Sequence, residues 1–362
     1  MKRMKLQEVC EVYSGYALKE FHDSDEGYPV IKIGNICSDG TLDLEKCQFT
    51  NDSVNDKYYS KKGDIYVALS GATTGKIGII NTDDKYIINQ RVGIVRKMDK
   101  EIPDQYIKYF LMNKTEKILE DASGCAQPNI SPKQIGQYEF SKIDYFEMNQ
   151  ISDILDKVSS VIAQRKLELQ KLDDLIKARF VEMFVGKNYP LVALDDLSLG
   201  KGEYGTQSAS IEYDPSRPRY VRITDIQDDG TLNDDVVSSA NIEDDEQYKL
   251  SYGDFMFARM GATVGKTYAY KSGNQIFAGY LIRYRLNLKR IIPGYLYAYT
   301  RLEEYKNWVL LNQSGAAQPG INAKKYGSLL IPVAPLEEQR AFEDFVQQVD
   351  KSKFRKLCYI KF

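Results

Sequence analysis

The apolar residues of this 362-residue chain follow two rhythms, and the switch between them divides it into segments. From Glu147 to Phe184 there is no Gly or Pro, and Ile151, Leu155, Val158, Ile162, Leu169, Leu172, Ile176 and Met183 recur in steps of four and three, with Arg165 and Arg179 filling the gaps. That is a heptad seam on one long helix. At about 1.5 Å per residue such a helix spans on the order of 55 Å, longer than a globular domain of this size normally accommodates, so it is expected to protrude and pair. Its expected partner lies near the other end of the chain, where Phe342, Phe345, Val346 and Val349 repeat the spacing of Ile151, Ile154, Leu155 and Val158. The expected helix-pair interface is Ile151, Leu155, Val158, Ile162, Leu169, Leu172 and Ile176 against Phe342, Val346 and Val349. Beyond Val349 the seam positions are Lys353 and Lys356, with Ile360 the one apolar return before Phe362, so the second helix reads as shorter and poorer.

Elsewhere the rhythm is that of strands. Short apolar or alternating runs at Tyr28 to Ile33, Asp64 to Leu69, Ile77 to Ile80 and Val92 to Arg96 are separated by turn signals such as Asp39-Gly40 and Lys62-Gly63. One helix is expected from Pro103 to Leu119, with Ile107, Phe110, Leu111 and Ile118 on one side. The same plan returns after the long helix, Pro293 opening a second such helix over Gly294 to Leu311.

The return is also literal. Gly63-Asp-Ile-Tyr-Val-Ala-Leu-Ser-Gly-Ala-Thr-Thr-Gly-Lys76 recurs 190 positions later as Gly253-Asp-Phe-Met-Phe-Ala-Arg-Met-Gly-Ala-Thr-Val-Gly-Lys266, with eight of fourteen residues identical. At nearly the same offset, Ile31-Lys-Ile-Gly-Asn-Ile36 matches Val221-Arg-Ile-Thr-Asp-Ile226, and Asp39-Gly-Thr-Leu42 matches Asp229-Gly-Thr-Leu232. Ser123-Gly-Cys-Ala-Gln-Pro-Asn-Ile130 likewise matches Ser314-Gly-Ala-Ala-Gln-Pro-Gly-Ile321. A period this long exceeds the roughly 20 to 50 residues of solenoid repeats, so each copy should be a domain with its own core. The expected division is 1–145, a spacer helix over 146–185, a second domain over 186–335 and a C-terminal helix over 336–362.

Composition excludes several functions. A net charge of -2, from 49 basic and 51 acidic residues, leaves any basic surface local. Five cysteines without Cys-x-x-Cys spacing and one histidine, His22, argue against zinc and point to reduced thiols. With no secretory h-region and no apolar run near twenty residues, a cytoplasmic protein is expected. The 27 tyrosines suit binding surfaces and half-buried strands alike.

Gly71-Ala-Thr-Thr-Gly-Lys76 and Gly261-Ala-Thr-Val-Gly-Lys266 are one residue short of a Walker A loop and are followed by strand-like sequence rather than a helix. They read as tight strand-to-strand turns using glycine at positive φ. Such a turn still presents N–H groups, Thr hydroxyls and Lys to a phosphate backbone. A lone His22 cannot serve two duplicated sites, and no Gly-x-Ser-x-Gly elbow is present, so no catalytic residue is expected. Asp228-Asp229 and Asp244-Asp245 read as solvated loops. The second copy's Arg217, Arg219, Arg222, Arg259, Arg283, Arg285 and Arg290 form its densest basic series, divided between surface charge and contacts to phosphate or guanine.

Twin Gly-Asp-x-x-x-Ala-x-x-Gly-Ala-Thr-x-Gly-Lys and Ser-Gly-x-Ala-Gln-Pro-x-Ile elements, each copy followed by a heptad helix, resemble the specificity subunit of type I restriction-modification enzymes. The resemblance covers nearly the whole chain. It implies an α+β fold of two duplicated, β-rich target recognition domains separated by a long antiparallel helical pair, a coiled coil. Each domain would read one half of a bipartite DNA target, and the helices would set the spacing and dock two methyltransferase subunits. Restriction subunits would join through that complex. This chain would then be non-catalytic and bind no cofactor, with S-adenosylmethionine, ATP and Mg²⁺ on its partners and no membrane involved. Candidate DNA contacts are Thr73, Thr74, Lys76, Arg91, Gln127 and Asn129 in the first copy, and Arg217, Arg219, Arg222, Arg259, Thr263, Lys266 and Gln318 in the second. The departure from the family is the C-terminal helix, which ends about thirteen residues before the point equivalent to Phe184, as expected of a truncated or recombining allele. Two other classes remain: a protein-interaction scaffold without DNA, and a nucleotide hydrolase built on the Gly-Ala-Thr loops.

Overall fold

The strand Ile65–Ala68 is buried on both faces, which is why its sequence is a continuous apolar run rather than an alternation. In the computed structural model, which describes residues 2–122, 128–242, 245–315 and 319–357, the chain forms two units, Met1–Gln164 and Arg165–Phe362. In the first, strands β1 (Lys2–Lys5), β2 (Cys10–Ser14), β3 (Tyr28–Ile31), β4 (Gln48–Thr50), β5 (Ile65–Ala68), β6 (Ile77–Ile79), β7 (Ile87–Ile88) and β8 (Val92–Lys97) come first. Helices α1 (Asp104–Met112), α2 (Thr115–Ala122) and α3 (Pro132–Gly136), strand β9 (Glu139–Lys142) and the first half of helix α4 (Tyr145–Phe184) follow. An antiparallel sheet of order β2-β8-β5-β6 is the centre. Ile65 and Val67 point into a core with Ile107, Leu111 and Ile118 of α1 and α2. Tyr66 and Ala68 point the other way, into a core with Ile31 and Ile88. Those two residues come from β3 and β7, which pair in parallel, while β1 and β9 form a separate antiparallel ribbon.

The second unit repeats this order. Strands β10 (Leu191–Ala193), β11 (Glu203–Tyr204), β12 (Ser210–Glu212), β13 (Arg219–Val221), β14 (Ser238–Ala240), β15 (Asp254–Ala258), β16 (Thr267–Ala269), β17 (Gln275–Phe277) and β18 (Leu281–Arg285) precede helices α5 (Pro293–Tyr299), α6 (Glu303–Asn312) and α7 (Ala323–Gly327), strand β19 (Leu330–Pro332) and helix α8 (Leu336–Leu357). Its central sheet has the order β11-β18-β15-β16, β13 and β17 pair in parallel, and β10 pairs with β19. Phe255 and Phe257 enter one core and Met256 and Ala258 the other.

The single helix expected in each copy is instead two short ones. Pro103 to Leu119 breaks between Met112 and Thr115, and Gly294 to Leu311 breaks between Tyr299 and Glu303. At each break a threonine hydroxyl donates to the carbonyl three residues back, Thr115 to Met112 (2.9 Å) and Thr300 to Tyr297 (2.8 Å). That satisfies a carbonyl the interrupted helix would otherwise orphan.

Helix α4 begins earlier than expected, at Tyr145, and runs to Phe184 without a break. In the first unit it packs through Met148 and Ser152, both buried, and through Asp156, which accepts from the Tyr109 hydroxyl at 2.6 Å and lies 3.4 Å from the Lys108 ammonium. This face is not the heptad seam. Leu155 is half-buried, whereas Ile151, Val158 and Ile162 are 41%, 50% and 37% exposed.

In the second unit Leu169, Leu172 and Ile176 are half-buried. The contacts to α8 run in opposite order along the two helices: Phe180 meets Phe342 edge-to-face at 5.3 Å, Arg179 lies over the Phe345 ring, and Asp173 pairs with Lys353 at 2.6 Å. Val349 is buried and Val346 packs against the core. The deepest anchors of this part of α4 are Phe180 and Phe184, which lie off the seam, while seam residue Met183 is only half-buried. Both rings also contact Tyr295 of α5, at 5.2 and 4.9 Å, so the last turn answers to the domain core rather than to the heptad period. Ile360 and Phe362 lie outside the described residues.

Candidate nucleic-acid interface

The Gly-Ala-Thr segments are the turns that join β5 to β6 and β15 to β16. Two glycines at positive φ shape each one, Gly71 and Gly75 (83° and 84°) and Gly261 and Gly265 (68° and 87°), a region that L side chains avoid. The hydrogen bonds are the same set twice. Gly75 N–H donates to Ala68 O and Lys76 N–H to Thr73 O, and their counterparts run from Gly265 to Ala258 and from Lys266 to Thr263. The local expectation of a strand-to-strand turn holds, and the strand that follows each turn leaves no helix N-terminus for a phosphate.

Tertiary structure brings the second repeated motif onto this turn. In the first unit Gly71 N–H donates to Pro128 O (3.2 Å), the Thr74 hydroxyl bonds Gly71 O and Pro128 O, and Ile130 N–H donates to Leu69 O (2.9 Å). In the second, Gly261 N–H donates to Pro319 O (2.9 Å) and Ile321 N–H to Arg259 O (2.9 Å). A third strand end closes each cluster, through Leu69 N–H to Arg91 O and Arg259 N–H to Tyr280 O. Segments more than fifty residues apart in sequence thus form one loop cluster at the end of the central sheet, once per unit.

The candidate residues divide by what already occupies them. Thr74 is buried and structural, Thr73 is half-buried with its hydroxyl oxygen unpartnered, and Arg91 and Asn129 are exposed on the cluster. Lys76 has no side-chain partner among the described residues, whereas Lys266 pairs with Asp228 (2.7 Å) and reaches Ile226 O (3.3 Å). The bond from Lys266 holds the Asp228 carboxyl below the usual carboxylate range. The Thr263 hydroxyl donates to Met260 O. Arg219 and Arg222 are bound to Asp234 and Asp225, and Arg217 lies 3.7 Å from Asp214. The guanidinium of Arg259 lies over the rings of Tyr204 and Tyr280. Gln127 and Gln318 lie outside the described residues. Burial pushes the thiols of Cys10 and Cys47 up to about 12 and about 11, away from the thiolate a nucleophile needs. Among the described residues no three His, Cys, Asp or Glu side chains are placed to hold a metal, and no helix is long and apolar enough to cross a membrane.

A family model described as type I restriction modification DNA specificity domain matches residues 1–172. The type I restriction enzyme MjaVIII specificity subunit of Methanocaldococcus jannaschii is 25% identical over 193 residues, which is 51% of this chain and 45% of that protein. The chain thus aligns with less than half the length of this relative. In fold, it is similar to the S subunit of a type I restriction-modification system from M. genitalium, covering 99% of this chain and 91% of that one at a TM-score of 0.57 and 14% identity. A second solved structure, from work on complex assembly and conformational transition of the type I R-M system, covers 99% and 93% at a TM-score of 0.51 and 15% identity.

Within residues 1–172 the repeated Asp of Gly63-Asp64 has a role that sequence reasoning did not assign. Its carboxylate accepts from Lys61 N–H (2.8 Å) and forms a two-point ion pair with Arg96 (2.6 and 2.8 Å), which also caps the Lys57 and Tyr59 carbonyls. In the second unit Asp254 caps Ser251 N–H in the same way, but the matching carbonyls of Gln247 and Lys249 are capped by Arg283. Strand pairing aligns Val95 with Tyr284, so Arg283 stands two residues earlier on its strand than Arg96 does. A step of two keeps the same face, which is how both arginines reach one job. Arg283 is therefore buried framework, 1% exposed, and bonded to Glu203 as well. Spacing alone could not separate it from Arg259.

Proposed function

We propose that this chain is the non-catalytic, DNA-reading specificity subunit of a type I restriction-modification system. Its two β-rich domains, 1–145 and 186–335, would each read one half of a bipartite duplex target. The observation that carries the reading is the recurrence, in both units, of the same three-segment loop cluster at the same end of the same four-stranded sheet. One asymmetric chain with two different readers suits a non-palindromic target, and its internal repeat suits seating two identical partner subunits. Those partners would be two methyltransferase subunits, which would hold S-adenosylmethionine; restriction subunits using ATP and Mg²⁺ would attach through them.

The spacer helix 146–185 and the helix 336–362 would pair as an antiparallel coiled coil that fixes the distance between readers. The opposite order of the Phe180–Phe342 and Asp173–Lys353 contacts supports that pairing. Candidate DNA contacts are Thr73, Lys76, Arg91, Asn129 and Gln127 in the first domain and Arg217, Arg259, Thr263, Lys266 and Gln318 in the second. Thr74, Arg219 and Arg222 would hold the backbone that presents them. Methylome sequencing of a host with and without this gene tests the reading. Adenine methylation at a split motif that appears only with the gene is expected, and an unchanged methylome would overturn it.

A further inference from the structure

Of the seven arginines from Arg217 to Arg290, six have guanidinium Nη groups tied to carboxylates or carbonyls. Arg217 bonds Ala240 O and Ile242 O, Arg219 and Arg222 pair with aspartates, Arg283 and Arg285 share Glu203, and Arg290 bonds Asp196 O. Arg259 differs. Its Nε donates to Gly279 O at 3.1 Å, its guanidinium carbon lies 4.9 Å from the Tyr204 ring centre and 5.7 Å from that of Tyr280, and neither Nη has a partner among the described residues. The support is itself held: the Tyr204 hydroxyl accepts from Ala323 N–H (3.1 Å), and the Tyr280 backbone carbonyl accepts from Arg259 N–H (3.0 Å). Tyr204 and Tyr280 are 43% and 54% exposed, so the assembly opens to solvent.

A guanidinium held by its Nε and steadied on aromatic faces leaves a planar pair of donors at a set angle. That geometry matches two acceptors side by side, as in the O6 and N7 of guanine, the commonest bidentate base contact in a major groove. A guanidinium fork also matches a phosphate, but the clamp between two tyrosine rings, which a contact made for charge does not need, favours base discrimination.

The first unit shows what the position looks like without this device. Leu69 makes the same two backbone bonds as Arg259, to Arg91 O and from Ile130 N–H, yet is an apolar, buried side chain. Arg91 stands where the second unit has Tyr280. The two clusters therefore share a backbone and differ in the chemistry they project.

We infer that Arg259, clamped by Tyr204 and Tyr280, is a specificity-determining residue of the second unit and reads a guanine from a position that the first unit fills with the apolar Leu69. This rests on the DNA-reading function proposed above. The test is selection from a randomised duplex DNA pool by the full chain assembled with its host's methyltransferase subunits, for wild type, Arg259→Lys, Arg259→Leu and Tyr280→Leu. Wild type should enrich a split sequence with a guanine in one half. Arg259→Lys and Arg259→Leu should each lose about 5- to 150-fold of that preference, leave the other half intact and, for Lys, keep the salt dependence of binding. Tyr280→Leu should weaken the same preference. A preference unchanged in the Leu variant, or a loss uniform over all sequences with a lower salt slope, would assign Arg259 to framework or phosphate and overturn the inference. Enrichment of no sequence by wild type would instead sink the DNA-reading function, and the inference with it.

Discussion

At the scale of single residues, the turns at Gly75 and Gly265 separate backbone need from packing need. Both glycines hold φ near +85°, so an alanine at either pays about 1–2 kcal/mol for the left-handed backbone. Their surroundings differ. A Cβ on Gly75 would sit 3.4 Å from Ile118, but one on Gly265 would meet Val309 at 2.8 Å, and forced contacts in a filled core add about 1–3 kcal/mol. Gly265→Ala is expected to destabilise its unit more than Gly75→Ala does, with part recovered in the Gly265→Ala, Val309→Ala double variant. Equal denaturant midpoints for the two single variants would contradict this. The lysines that follow these turns are also unequal. Lys76→Ala is expected to weaken binding to all duplex sequences and lower the salt slope by about one. Lys266 must first leave Asp228, so Asp228→Asn is expected to raise duplex affinity, and titrations at several salt concentrations would detect both effects. If Lys76→Ala shifted the methylated sequence at constant salt slope, its phosphate role would be wrong.

Among the elements, α4 is the one whose stretches do different work. Phe180 and Phe184 are sealed among Phe342 and Tyr295, so Phe180→Ala is expected to cost about 3–5 kcal/mol. Val158 is half exposed, and Val158→Ala should stay within about 0.5 kcal/mol. Chemical denaturation of the two variants checks the contrast, and a Val158 effect as large as that of Phe180 would show the exposed seam to be covered in solution. The heptad pattern made the helix legible from end to end, because periodicity reports which residues need shelter. It did not report what gives the shelter: Leu172 and Ile176 of the stripe are half-buried, but Ile151 and Val158 are exposed while the helix turns Met148 and Ser152 to its domain instead.

For the whole molecule, the repeat implies separable readers. Replacing residues 1–145 with the matching domain of another such subunit is expected to change one half of the methylated target and leave the other half and the spacing unchanged. Base-edge contacts are local and discriminate by about 1–3 kcal/mol each, whereas the helices would carry spacing alone. Methylome sequencing of the exchanged allele checks it, and simultaneous change of both halves would end the two-reader model.

The duplication, the strand-rich plan of each copy, the turn chemistry of the Gly-Ala-Thr segments and the long helix are written locally, in identity, alternation and glycine placement, and could be read residue by residue. Three features needed the fold. The helix breaks at Asn113 and Arg301 depend on threonine hydroxyls that satisfy freed carbonyls, a competition that periodicity does not weigh. The meeting of the Gly-Ala-Thr turn with the Gln-Pro segment spans more than fifty residues and exists only as inter-segment hydrogen bonds. The difference between tied and untied arginines depends on which carboxylates and carbonyls lie within reach: Arg283 is enclosed by Glu203, Gln247 and Lys249, while Arg259 has two tyrosines and, among the described residues, no partner for its Nη donors. A guanidinium's neighbours are set by strand register and loop closure, and those are properties of the folded chain.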